Sequence, residues 1–248
     1  MSTVAAPQTQ TNGKIAPDDL NAWRRQTRVF LQPVAAPSIL GLFGFAGATF
    51  MVAAYMAGWY GGETSLNYIF PFAATFGGLA QFVAGVWGYR ARDGLATAMH
   101  GMWGSFWLAF GILWAFNAAG AFKLPAGEFV PFGYWFLVLA VITACGAAAA
   151  VFENLGIFSV LATLAVGSAF AAVFFLTGIG GWEEVAGWVL LASSWLACYT
   201  AAAMMLESAA GKVILPLGNL SKKANIPGHQ EHLPLQFELG EPGVRQGQ

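Results

Sequence analysis

The feature that most constrains this chain is the recurrence of long, uncharged apolar runs. Six of them, at about residues 37–58, 66–88, 95–117, 131–151, 156–177 and 184–206, reach the roughly 20 residues a helix needs to cross a bilayer core. No water reaches backbone N–H and C=O groups there, so each segment must satisfy its own as a helix. Composition agrees: 57% of the 248 residues are hydrophobic and 9% are charged, where a soluble domain carries about a quarter. The expected fold is an all-α membrane protein with six transmembrane helices, residues 37–206. A polar arm (1–36) precedes them. A tail (207–248) follows, which reads as largely disordered from its proline, glycine and charge content.

Orientation follows from the basic residues. Four lie in the arm (Lys14, Arg24, Arg25, Arg28), two in the second loop (Arg90, Arg92) and four in the tail (Lys212, Lys222, Lys223, Arg245). Only Lys123, in the third loop, falls on the other side. An even number of spans returns both termini to one side, and the lysine and arginine excess makes that side cytoplasmic. The first span exceeds a signal-peptide core, so it reads as retained. Trp59, Tyr60, Trp135, Trp182 and Trp188 stand near span ends, where amphipathic rings favour the lipid interface. A net charge of −1 gives no reason to expect a nucleic-acid partner.

The spans hold no Lys, Arg, Asp or Glu near their centres. Voltage sensors, proton relays and ion-coupled pumps rely on such charges, so their absence argues against those machines. His100 is the one intramembrane histidine, too few for a haem held by two imidazoles. No Ser/His/Asp set, phosphate-cradling loop or carboxylate pair is available, and neither an enzyme nor a cofactor is expected. His229 and His232 in the tail make an incomplete metal shell. Cys145 and Cys198 read as small hydrophobes.

What remains inside the spans is neutral: Thr49, Gln81, His100, Ser105, Asn117, Thr143, Thr163 and several further serines and threonines. Such groups bond to backbone carbonyls and join helices. They also line narrow pores, where they replace part of a solute's hydration shell. At about 100° per residue, Gly77, Gly78, Gln81, Ala84, Gly85 and Gly88 fall on one stripe of the second span. A stripe of small residues admits a neighbouring backbone, and Gln81 is its one long polar member. In the third span Trp103, Trp107, Phe110 and Trp114 form an aromatic stripe beside a mostly small one, and His100 projects between them. Spacing leaves open whether Gln81, His100 and Trp103 pack helices or face a pore.

Three segments resemble the acetate uptake transporter family of bacterial acetate and succinate permeases and fungal acetate and ammonia exporters. APSILGLFGF, Ala36 to Phe45, is similar to that family's NPAPLGLxGF signature. FGGLAQFVAG, Phe76 to Gly85, is followed by WGSFW, Trp103 to Trp107, where the family has YGSFW. AGW, Ala186 to Trp188, runs on to LPLG at Leu215 to Gly218. The ordered set covers nearly all of residues 36–218.

The resemblance implies a homohexamer in a bacterial inner membrane, with one pore per subunit for acetate or another small monocarboxylate, succinate included. It also implies a hydrophobic constriction built from Phe45, Trp103 and a fifth-span side chain near Thr163 or Leu164. The chain departs from the family pattern at Ala36, Ile39, Trp103 and His100. The expected function is passive or proton-coupled carboxylate transport. Gln81, Ser105, threonine hydroxyls and the Trp103 indole are the dipoles offered to the carboxylate, and His100 is the protein group that would carry a proton. Ammonia or ammonium export, and a non-transporting membrane scaffold, are the alternatives.

Overall fold

The computed structural model describes residues 34–220, with residues 63 and 126 excepted. The arm's basic residues and the tail histidines His229 and His232 lie outside the described residues. Each of the six apolar runs is a helix: α1 (Pro37–Met56), α2 (Ser65–Ala91), α3 (Gly94–Ala118), α4 (Val130–Ala150), α5 (Leu155–Thr177) and α6 (Gly180–Ala210). Five of them are long and apolar enough to cross a membrane. The other is α3, whose 25 residues would extend roughly 37 Å at 1.5 Å each. It carries no charge, but His100, Asn117, four glycines and three tryptophans make it less hydropathic than its neighbours. Among the described residues there is no strand, and the fold is that of an all-α membrane protein.

Local chemistry fixes the helix ends. Pro37 opens α1, where a missing N–H costs nothing. Asp93 caps α3 by accepting from the Ala96 N–H at 2.8 Å, and Asn154 caps α5 by accepting from Ile157 at 2.9 Å. Gly178 and Gly211 close α5 and α6 at φ of 68° and 66°, the left-handed C-terminal position at which a Cβ would be penalised.

α2 departs from the regular helix the spacing predicts. Pro71 lies inside it and residues Ala73–Ala80 wind as a π-helix before α-geometry resumes at Gln81. Proline lacks the N–H and crowds the carbonyl four residues back, and a wider turn absorbs that break.

The helices close into a ring. α1 packs on α6 and α2, α6 on α5, α5 on α4 and α2 on α3, while α3 meets α1 and α4 over smaller areas. The small-residue stripe of α2 is the seam to α1 and α3. A Cβ on Gly85 would lie 2.5 Å from the Gly101 nitrogen, and one on Gly104 would lie 2.5 Å from that of Phe82. These two backbones therefore touch directly, as close membrane-helix packing requires.

α6 runs four residues past the expected end of the sixth span, and part of the tail is docked. The Leu155 and Gly156 N–H groups donate to the carbonyls of Gly218 and Leu217 at 2.7 and 3.0 Å, and the Tyr199 hydroxyl donates to Pro216 at 2.8 Å. The LPLG segment thus satisfies the first N–H groups of α5, which lack an intrahelical partner.

Candidate functional site

Two cavities enter the ring from opposite ends. The larger, about 720 Å³, opens among the ends of α1, α3 and α5 and the connection carrying Lys123; Trp103 lies at its depth. The smaller, about 30 Å³, lies where α1, α3 and α5 begin and is lined by Ser38, Asp93, His100 and Glu153 among others. Trp103 borders one cavity and His100 the other, so about one helical turn of α3, roughly 4.5 Å of rise, separates them.

That layer is apolar. Phe45 and Trp103 are buried and meet edge to face, with ring centroids 6.2 Å apart and planes at 65°, a favoured geometry for aromatic pairs. Leu164 is buried in the same hydrophobic cluster. Thr163 is only partly buried, and its hydroxyl turns back to the Ser159 and Val160 carbonyls at 2.7 and 3.0 Å. Of the two fifth-span candidates, Leu164 is the buried one.

The Trp103 indole N–H donates to Thr143 Oγ1 at 3.1 Å, both groups buried. That bond pins the ring across the α3–α4 seam. It also corrects an expectation: this N–H is already engaged and is not a dipole free for a carboxylate. Ser105, likewise expected on the pathway, lies on the exposed face of α3, and its hydroxyl donates to the Gly101 carbonyl at 2.7 Å. The structure does not bring it together with the other candidates.

Gln81 and His100 do meet. Gln81 Nε2 lies 3.5 Å from His100 Nδ1, at the outer limit of a hydrogen bond, and Gln81 Oε1 has no partner. Both residues are buried. The imidazole fills space over Gly41, where a Cβ would lie 2.5 Å from its ring atoms. His100 is therefore an interlock among α1, α2 and α3 at the edge of the smaller cavity.

Two acidic groups outside the spans face that cavity. Burial raises the pKa of Asp93, although backbone N–H groups of Ala96 and Leu95 oppose the rise. Burial, with the Asp93 charge as a smaller cause, pushes Glu153 up to about 7. Desolvation penalises the ionised carboxylate, and a like charge nearby adds to the penalty. Sequence reasoning missed this pair because Glu153 and Asp93 stand in different connections, 60 residues apart in number. Thr143 was named among the intramembrane polar groups, but its pairing with Trp103 depends on which turn of α4 faces α3.

The GPR1/FUN34/yaaH family matches residues 21–222 of the chain. The succinate-acetate/proton symporter SatP of Escherichia coli K12 is 26% identical over 190 residues, which cover 75% of this chain and 96% of that protein. Ammonia transport outward protein 2 of Saccharomyces cerevisiae is 34% identical over 91 residues, 36% of this chain and 32% of that one. Among solved structures, that of the bacterial acetate channel SatP matches with a TM-score of 0.69 at 24% identity. The match covers 75% of this chain and 99% of that chain, and shows that the two share a fold.

Proposed function

The chain belongs to the GPR1/FUN34/yaaH family, and from that premise we propose that it carries acetate or a similar small monocarboxylate across a bacterial inner membrane. The pathway runs through each subunit, and six subunits form the assembly. The N and C termini face the cytoplasm, which places the smaller cavity inside and the larger one outside.

The observation that carries this reading is the buried Phe45–Trp103 pair, with Trp103 on the wall of the larger cavity and His100, one turn away on α3, on the wall of the smaller; the proposed constriction adds Leu164 to that pair. A hydrophobic constriction gates by its width and by dewetting, so it rejects large solutes, while a small carboxylate passes with its methyl against the rings. With no fixed cation in the layer, binding is weak, which suits rapid passage. The protein acts by positioning and exclusion, with no covalent chemistry. The relatives named above are transporters or channels, which supports a transport role over an enzymatic or scaffolding one.

Proton linkage has two protein candidates on the smaller cavity, His100 and Glu153; the third carrier is the undissociated acid itself. The test is labelled-acetate flux into liposomes holding purified protein. Wild type is expected to pass acetate and to reject butyrate, and Trp103→Ala to admit butyrate. Protein-free flux rates for acetate would overturn the reading. Ammonium export is the second reading, supported by the yeast relative; ammonium, rather than propionate, would then compete with the transported solute.

A further inference from the structure

Among the described residues, two that line the larger cavity carry charge, Lys123 and Glu183. Lys123 is also the one basic residue of the chain outside the arm, the second loop and the tail. With six helices alternating in direction, the side onto which the larger cavity opens therefore draws on a single cation.

The fold fixes that cation at the rim of the cavity. Next to it in the chain, the Leu124 N–H donates to Asn117 Oδ1 at 3.0 Å, and Asn117 Nδ2 donates to Asn67 Oδ1 at 3.2 Å. These bonds tie the α3–α4 connection to the end of α3 and the start of α2. At the other end of the connection, the Phe129 N–H donates to the Phe175 carbonyl of α5 at 2.8 Å. Lys123 itself is exposed, so its compact ammonium keeps its water and acts on solutes through its field.

Glu183 opposes that field, and its position weakens the opposition. It stands in the first turn of α6, where the helix dipole supplies roughly half a positive charge. Lys123 stands in a connection, where no helix dipole offsets it. Glu128 and Glu184 are exposed but do not line the cavity. The larger uncancelled charge on the cavity wall is therefore positive. Walls of low dielectric focus such a field into the space they enclose, which raises the local concentration of the opposite charge.

We propose that Lys123 recruits small carboxylates electrostatically: its ammonium concentrates them in the larger cavity before they reach Phe45 and Trp103, and disfavours ammonium there. This rests on the carboxylate-transport reading and adds to it a specificity-determining residue remote from the constriction.

The test uses salt to separate field from contact. Wild type, Lys123→Gln, Lys123→Glu, Lys123→Arg and Glu183→Gln are reconstituted in neutral lipid, and the half-saturation of labelled-acetate flux is measured at neutral pH across a salt series. At about 0.01 M salt the screening length is about 30 Å. There a unit charge about 6 Å from a solute in water changes its local concentration about threefold. Lys123→Gln should raise half-saturation by about that factor, and Lys123→Glu, a change of two charges, by about tenfold. Lys123→Arg should match wild type, and Glu183→Gln should lower half-saturation by a smaller factor. At about 1 M salt, where screening acts within about 3 Å, all should coincide, which also shows that the variants are folded. Wild type alone gives a reading that needs no variant: its half-saturation should rise about threefold across the series. A flat wild-type series, equal half-saturation for wild type and Lys123→Glu at low salt, or a Lys123 effect that persists at high salt overturns recruitment and leaves carboxylate transport standing. Absence of acetate flux in wild type overturns the transport reading together with it.

Discussion

Trp103 is held by two unlike forces, ring contact with Phe45 on one side and the hydrogen bond to Thr143 on the other. Thr143→Val keeps the shape and removes the acceptor. It should lower stability in detergent by about 1–3 kcal/mol, the cost of an orphaned buried donor, measurable as a drop in melting temperature. Gly41→Ala should cost a similar amount, since its Cβ would overlap the His100 ring and overpacking of a tight site costs roughly 1–3 kcal/mol. Adding His100→Ala should recover part of that loss, a non-additivity that a double-mutant cycle reads directly. At this scale the family motifs singled out Phe45 and Trp103, two residues far apart in the chain whose rings meet in the fold. The sequence was not legible where two adjacent residues compete for one face. Thr163 and Leu164 differ by about 100° around the helix, and only the packed structure tells which of the two is buried. Ser105 sits two residues from Trp103, and that offset carries it to the outer surface.

The helices themselves were readable from apolar length, because a bilayer leaves a spanning segment little other choice. Their internal irregularity was not. A fixed 100° period cannot represent the π-turn at Ala73–Ala80, although Pro71, just before it, is a break that the sequence displays. The connections are likewise opaque, because closeness between the α2–α3 and α4–α5 links is a tertiary fact. Its consequence is a pH dependence. Glu153 has its pKa raised from 4.5 to about 7 in the fold, so the folded state binds that proton more tightly than the unfolded. The corresponding stability is complete below about pH 4.5 and is lost as pH rises through about 7. Glu153→Gln should therefore melt like wild type at pH 4 and a few degrees higher at pH 8. A parallel fall for both proteins across that range would contradict the assignment.

For the molecule as a whole, the ring closes through α1, α6 and α5, and the C-terminal strap 215–220 ties the start of α5 to α6. A chain ended after Gly211 should be less stable than one ended after Leu220 by about 2 kcal/mol, the net worth of a few hydrogen bonds. Thermal unfolding of the two truncations compares them directly, and equal melting would remove the strap from the account. The ring also has an electrical consequence. A cavity of about 720 Å³ open to one side carries the potential of that solution down to Trp103, so the membrane voltage falls mostly across the rest of the pathway, where the second cavity is only about 30 Å³. An anion crossing that stretch takes up most of the field, about 2.3 kcal/mol per 100 mV. An undissociated acid would feel almost none of it.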